Sequence, residues 1–332
     1  MPLVSVVMPT YNSKYVWQAV DSILHQDFED FEFIIVDGSP TSGLLDILEQ
    51  HGVMDKRIQI HYKPNLPASA SRNYGCKLAK GKYIAAMDSD DISYSNRFSK
   101  QVAFLESHGE IGLVGSWRHD CDERGNITAT RKPYTDPLVI RWALNFGDCV
   151  THSSVMARAD VLQQIGFYDE GNPNSEDYSL IARASLVTGV ANVPEVLTAY
   201  RHHSGQWTDR TPESLNNMAT AKVMQYMIED TLGYCVPMEL VLDMRRIFVG
   251  PKIFAGNIKQ VTQIIVKAKE AYIKKNHLTY YEEKEINRDA NRMLFWIGVQ
   301  AARKNHSLPT LVKSILKEPM LPISALREKF GG

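Results

Sequence analysis

Asp88, Ser89, Asp90 and Asp91 close the stretch GKYIAAMDSDD, where a run of small and apolar residues ends abruptly in acids. Carboxylates this close repel, and at least one pKa rises unless a cation or a donor offsets the repulsion. In an extended segment, residues two apart project to the same side. Asp88 and Asp90 would then share one spot at the carboxyl end of a strand, where open α/β sheets bind ligands. A hard divalent cation with oxygen ligands is the simplest occupant. The competing account makes Asp91 or Ser93 the cap of a following helix, whose apolar Phe98, Val102 and Leu105 recur at helical spacing. A cap needs one side chain and leaves Asp88 and Asp90 unexplained. A calcium loop of the EF-hand type would need an acid or Asn at Ile92, Gly at Ser93 and Glu at Ser99, and it has none of these.

Such a spot needs a sheet to carry it, and the first part of the chain alternates accordingly. LVSVVMP is β-rich, and SKYVWQAVDSILHQ places Val16, Ala19, Val20, Ile23 and Leu24 at helical spacing. FEFIIVD reads as a strand and SGLLDILEQHG as a helix stopped by Gly52. RIQIHY alternates, ASASRNYGCKLAKG suits a helix ending at Gly81, and KYIAAMD is the next strand. Repeated strand–helix units of this length predict a Rossmann-like, mostly parallel sheet flanked by helices. After about Thr211 the character becomes helical. Thr211 is placed as a cap with Pro212 at the first helical position, and Leu215, Met218, Met224 and Met227 read as core. The chain therefore divides at residues 1–210 and 211–332.

Composition narrows the function classes. The 332 residues are 44% hydrophobic and 23% charged with a formal net charge of -1, so no bulk field favours nucleic acid. MPLVSVVMPTYN has no basic n-region and runs straight into a strand, unlike a signal peptide, and no apolar run reaches a membrane span. Cys76, Cys121, Cys149 and Cys235 are scattered without a CxxC pair and read as reduced thiols of a cytosolic protein; Cys149 and His152 read as packing rather than as a metal pair. No GxGxxG follows the first strand, which argues against a dinucleotide enzyme. Gly75–Lys82 has the wrong glycine spacing for a P-loop, with Tyr83 in place of Ser or Thr.

Further stretches converge on the same sheet edge: VVMPTYN at Val6–Asn12, IIVDGS at Ile34–Ser39, ASRN at Ala70–Asn73, SEDYSLIAR at Ser175–Arg183 and YRHHSG at Tyr200–Gly205. In this order, with DSDD, they resemble the family 2 glycosyltransferases, enzymes of the GT-A fold that use nucleotide-sugar donors. The resemblance covers roughly the first two-thirds of the chain, and its strength is the ordered co-occurrence of short motifs. It implies that Asp88, Ser89 and Asp90 form the DxD motif, with Asp90 holding Mn²⁺ or Mg²⁺ against the donor diphosphate and Asp88 contacting ribose or metal-bound water. It implies nucleoside contacts at Pro9, Thr10 and Asp37, with Arg72 reaching base or diphosphate or else standing as a surface arginine. Where the family reads VDDGST, this chain reads VDGSPT, with Gly38 in place of the second acid.

The same resemblance makes Asp177 the general base and Glu176 its acceptor-binding or supporting neighbour; the alternative is a pair of acids at a helix N-terminus capped by Ser175. His203 fits a YRxH pattern as a contact to metal or diphosphate, with His202 as the fallback. His152 would face the acceptor, and Arg183 would serve packing or a salt bridge. The function implied is inverting, metal-dependent transfer from a UDP-sugar to a glycan or lipid-linked acceptor in bacterial cell-surface polysaccharide synthesis. The setting is cytoplasmic, with peripheral membrane contact or homodimerisation through the C-terminal helices and the apolar–basic tail. A metal-dependent nucleotidyl- or phosphotransferase would explain DSDD but not the ED or YRHH segments. A non-catalytic nucleotide-sugar-binding protein is the other class, made conceivable by Gly38.

Overall fold

A computed structural model of the chain describes residues 1–206, 213–249 and 257–305. It divides into two compact units, one of residues 1–140 and 148–212, the other of 141–147 and 213–332. The second unit thus takes in a short segment from the middle of the sheet-bearing part as well as the C-terminal helices.

The first unit follows the alternation of the sequence. In chain order it holds β1 (Val4–Thr10), α1 (Val16–Leu24), β2 (Phe31–Asp37), α2 (Leu44–Gln50), β3 (Ile58–Tyr62), α3 (Ala68–Leu78) and β4 (Tyr83–Ala86). There follow β5 (Ile92–Ser93), α4 (Arg97–Ser107), β6 (Ile111–Cys121), β7 (Ile127–Arg131), α5 (Pro137–Ala143, whose last residues fall in the second unit), β8 (Met156–Arg158), α6 (Ala159–Gln164), α7 (Glu176–Ala184) and β9 (Gly189–Arg201). The strands form one sheet in the order β3-β2-β1-β4-β8-β6-β9-β5, with β7 paired to β6. The β3–β2–β1–β4 side is parallel, β8 runs antiparallel to both its neighbours, and β6 and β9 are parallel again. This is the mixed α/β architecture expected, a parallel half followed by a mixed one.

β1 and β2 are buried almost without interruption, because helices cover both faces of a parallel sheet. Gly75 lets α3 lie against β1: a Cβ there would stand 2.5 Å from Val7 Cγ1. That close approach sets the position of Arg72 one turn earlier on the same helix. The helix after DSDD begins at Asn96 without a side-chain cap, so neither Asp91 nor Ser93 caps it. Both are needed elsewhere: Asp91 accepts the Arg201 backbone N–H at 2.9 Å, and the Ser93 N–H bonds Ser22 Oγ at 3.1 Å.

Among the described C-terminal residues the second unit contains α8 (Glu213–Leu232), α9 (Met238–Val249), α10 (Ile258–Lys275) and α11 (Tyr280–Asn305). Trp142 is fully buried within it, its indole N–H donating to Asp289 Oδ2 at 3.1 Å. Met224 and Met227 are core residues as expected, but Leu215 and Met218 are exposed. Met218 lies about half a turn around the helix from Met227, so one buried stripe cannot hold both. The Thr211 cap, Pro212 and the tail from Ser307 onward lie outside the described residues. No helix among the described residues is long and apolar enough to cross a membrane.

Candidate active site

The DSDD loop follows β4 and is held from several sides. Asp88 Oδ1 accepts from Arg72 Nη2 at 2.8 Å, and Asp88 Oδ2 lies 3.1 Å from His152 Nδ1. A carboxylate only accepts, so His152 donates through Nδ1, and in the neutral ring Nε2 accepts from the Tyr168 hydroxyl 2.9 Å away. The other arm of Arg72 donates from Nη1 to Glu176 Oε1 at 2.8 Å, across 104 residues of sequence. One guanidinium thereby joins the DSD and ED segments.

Asp90 has a different partner. His203 Nε2 lies 3.0 Å from Asp90 Oδ2, while His203 Nδ1 accepts the Gly205 backbone N–H at 3.1 Å. The proton of the neutral ring therefore sits on Nε2 and points at Asp90. Arg201 fixes the loop's backbone: its Nε donates to the Asp90 carbonyl at 2.8 Å, and its remaining arms reach the Glu123 carbonyl and Gln18 Oε1, each at 2.9 Å. Ser13 Oγ donates to the Ser89 carbonyl at 2.9 Å, tying the segment after β1 to the same loop.

The acids titrate apart for physical reasons. Burial works against ionisation of Asp88, but His152 and Arg72 outweigh it and hold this carboxyl well below the usual carboxylate range. Burial and the charge of Asp88 push Asp90 up, against His203. Burial, then Asp90 and Asp88, push Asp91 well above its ordinary value, and its Oδ2 is buried without a hydrogen-bond partner. Beneath them lies Arg97, fully buried, donating to the Ala86 and Val155 carbonyls at 2.9 and 3.0 Å and to Gln101 Oε1 at 3.0 Å. Burial pulls the Arg97 guanidinium down to about 9, and Asp88 and Asp91 oppose that fall. It is a counter-charge placed under the acids without contacting them.

Asp177 stands in the first turn of α7, where its Oδ1 accepts the Tyr178 N–H at 2.7 Å. Burial and the neighbouring Glu176 charge raise its pKa, against His152 and Arg72. A further acid, Asp148, belongs to the same neighbourhood: surrounding protein atoms and the Asp177 charge push its carboxyl up to about 7. Its surface stays open to solvent, which moderates the shift. The two carboxyls repel one another, so they titrate as a pair rather than singly.

The nucleoside candidates end the strands next to β4 on the same sheet edge. Thr10 and Asp37 pair in register at the ends of β1 and β2, with Pro9 opposite Val36. Asp37 is buried, and its Oδ1 accepts the Ser39 N–H at 3.0 Å. Gly38 explains the missing second acid, since a Cβ there would lie 2.8 Å from the Leu66 backbone carbonyl. The loop after β3 closes over this position, with Asn65 N–H donating to the Gly38 carbonyl at 2.8 Å. Gly38→Ala is expected to destabilise the fold by about 1–3 kcal/mol, because backbone must move to admit the methyl. Urea denaturation measures this, and an unchanged midpoint would mean that the loop yields freely.

The structure thus brings Arg72, Asp88 and Glu176 into one network and Asp90 and His203 into another, with Asp177 alongside. Pro9, Thr10 and Asp37 end the adjoining strands β1 and β2, and Asp37 Oδ1 is engaged by the Ser39 N–H rather than by either acid network. Arg72 is not a loose surface arginine; both its Nη groups are engaged by acids. His152 is buried under Asp88, and Cys149 turns its thiol to the Ile140 carbonyl at 3.8 Å, so the two form no metal pair. Sequence reading missed Asp148, Arg97 and Tyr168. Arg97 and Gln101 carry a faint signal, a polar pair four apart on the face that also buries Phe98, Val102 and Leu105.

A mixed sheet of this order with acids gathered at one edge defines an α/β protein with a candidate site at the strand ends, and its sequence and fold match known proteins. The sequence profile of Glycosyl transferase family 2 matches residues 5–166. The chain is 32% identical over 212 residues to the O-antigen biosynthesis glycosyltransferase WbnJ of Escherichia coli, covering 61% of this chain and 81% of that protein. It is 38% identical over 187 residues to an uncharacterized glycosyltransferase of Methanocaldococcus jannaschii, covering 55% of this chain and 64% of that relative's length. The fold is similar to S. aureus TarS 1-349 in complex with UDP-GlcNAc, with a TM-score of 0.60, 16% identity, and coverage of 95% and 90% of the two chains. The chain belongs to glycosyl transferase family 2.

Proposed function

We propose that this protein transfers a sugar, with inversion, from a UDP-sugar to a hydroxyl of a saccharide acceptor in cell-surface glycan synthesis. The observation that carries the reading is Arg72, which ties the DSD acid Asp88 to Glu176 beside the candidate base at 2.8 Å on each side. Donor-side and acceptor-side motifs remote in sequence are thereby held in fixed relation, as an in-line displacement requires. Similarity to an O-antigen glycosyltransferase and to a fold solved with UDP-GlcNAc supports the same reading. In this proposal residues 1–210 are the transferase domain and 211–332 its helical accompaniment.

The residues fit a divalent cation. Among the described residues no three His, Cys, Asp or Glu side chains group as a complete ligand set. Asp90 and His203 nevertheless form a two-member oxygen–nitrogen set, Asp90 is raised by burial and then by the charge of Asp88, and Asp91 leaves a buried oxygen unpaired. Such a partial set suits Mn²⁺ or Mg²⁺ whose remaining positions are filled by diphosphate and water. Asp90 would hold the ion, and His203 would join it through Nε2 in the other tautomer, giving up the Gly205 N–H contact at Nδ1, while Asp88, already occupied by Arg72 and His152, would serve through those partners. A bound ion would offset charge developing on the departing diphosphate.

The chain's own residues do the rest. Asp177 accepts the proton of the acceptor hydroxyl, whose oxygen forms the new bond at the anomeric carbon. The bond from that carbon to the diphosphate oxygen breaks on the opposite face, and its electron pair leaves with UDP. Asp148, whose charge interacts with Asp177, is the neighbouring acid on the acceptor side. Asp37 accepts hydrogen bonds from the nucleoside. Calorimetry with UDP tests this assignment: Asp37→Ala is expected to lose about 1–3 kcal/mol of UDP affinity. Unchanged affinity would remove Asp37 from the site.

A further inference from the structure

One face of the sheet beyond the acid cluster carries a constellation that the sugar-transfer reading does not use. Along a strand, side chains two apart share a face, and Arg118 and Asp120 of β6 do so, as do Tyr200 and His202 at the end of β9. Arg131 of β7 lies directly opposite Arg118 in the ladder, and Tyr200 lies opposite Asp120. Asp120 is the anchor. Its side chain is 3% exposed, and its oxygens take Arg118 Nε at 2.9 Å and Arg131 Nε at 2.7 Å. His202 Nε2 stands 3.7 Å from Asp120 Oδ2, with its side chain 54% exposed.

The way the arginines are held matters more than their number. Each contributes its Nε to Asp120, and Arg118 gives one further hydrogen bond, from Nη1 to Thr151 Oγ1 at 3.2 Å. Among the described residues, Arg118 Nη2 and both Nη groups of Arg131 have no protein acceptor, and the Arg131 side chain is 59% exposed. A guanidinium pinned through Nε has lost rotamer freedom but keeps its outer edge, the edge that binds carboxylate or phosphate in parallel hydrogen bonds. The Tyr200 ring lies under this cation, with Arg118 Cζ 4.7 Å from its centroid and the His202 ring edge-on at 5.1 Å. An aromatic floor beside fixed donors is a surface on which a sugar ring packs while a charged substituent is gripped. Asp120 is neutralised by its two arginines. Asp148 also acts electrostatically with Arg118, and Asp91, Asp90 and Asp88 act on Tyr200 from the acid cluster. The positive charge left over after Asp120 is met is therefore concentrated on the outer edges of Arg118 and Arg131.

We infer that Arg118, Arg131 and His202 over Tyr200 form a subsite for an anionic group, a carboxylate or phosphate, borne by the acceptor saccharide. The inference rests on the sugar-transfer reading for the word acceptor, but the anion site itself does not. The test uses the full chain, with glucuronate, glycerol phosphate and inorganic phosphate as probes and glucose as the neutral control. Binding is followed through the Arg Nε–H resonances by NMR. Both anion classes should shift the Nε–H signals of Arg118 and Arg131, with glucose silent. Arg131→Ala should weaken anion binding at least about 10-fold, Arg131→Lys should restore part of it, and UDP affinity should stay at the wild-type value. Preference for glucuronate or glycerol phosphate over inorganic phosphate would assign the site to a saccharide or polyol substituent; equal binding would leave the shared anion chemistry standing and remove the sugar floor. Absence of any shift in the wild type, or unchanged binding in Arg131→Ala, would overturn the subsite. Failure of UDP to bind the wild type would instead overturn the sugar-transfer reading, so the two are told apart.

Discussion

Asp177→Asn is expected to lower sugar transfer by about 10²–10⁴-fold while leaving UDP affinity near the wild-type value. The substitution keeps the size of the side chain and its reach to the Tyr178 N–H, but the amide cannot take a proton from an acceptor hydroxyl. The wild-type pH profile should carry the same signature. Burial and the Glu176 charge raise the Asp177 pKa, so protonation, and with it loss of the base, begins above the ordinary carboxylate range as pH falls. The acid limb of the rate should lie correspondingly high and should vanish from the residual activity of Asp177→Asn. Near-normal transfer by this variant would reduce Asp177 to an acid at a helix N-terminus, where it favours the macrodipole and nothing more. Glu176 would then be the next candidate, although Arg72 holds it at 2.8 Å.

The second large effect concerns Asp90. Asp90→Asn should leave the fold intact, because Arg201 grips the Asp90 backbone carbonyl rather than its side chain. Removing even an outer-shell partner of a metal costs about 10–100-fold in affinity, so loss of a direct ligand should cost at least about 100-fold in Mn²⁺-dependent UDP binding. Chelation of the wild type should produce the same loss, and chelator should add nothing to the variant. UDP binding that is equally tight in excess chelator would remove the cation from the account and leave Asp90 as the hydrogen-bond partner of His203.

The parallel half of the fold was legible because hydrophobic periodicity reports burial directly: β1 and β2 are apolar runs, and the helices between them show their stripe. The acid cluster was legible for a similar reason, since four polar residues at the end of an apolar strand have no local use. What sits around them was not. Asp91 looked like a cap, and its actual partner, the Arg201 backbone, is 110 residues away. Arg72 looked ambiguous because its two acids come from a loop and a helix that only the tertiary fold assembles. Asp148 carries no motif; its meaning arises from proximity to Asp177. Gly38 read as a departure from the family pattern, and the reason, a loop carbonyl 2.8 Å from where a Cβ would stand, is invisible without coordinates. In α8 the methionines were assigned to the core by type, whereas the phase of the helix decides which of them are buried.

The central claim is displacement at an anomeric carbon by a nucleophile on the face opposite UDP, and it can be read without knowing the acceptor. Water substitutes slowly for the acceptor hydroxyl, so UDP-α-GlcNAc and other UDP-α-sugars incubated with the protein and Mn²⁺ should release UDP and free sugar. Proton NMR of the first sugar formed, recorded before mutarotation, gives its configuration. The account predicts the β anomer, with release suppressed in Asp177→Asn; the α anomer as first product would contradict it.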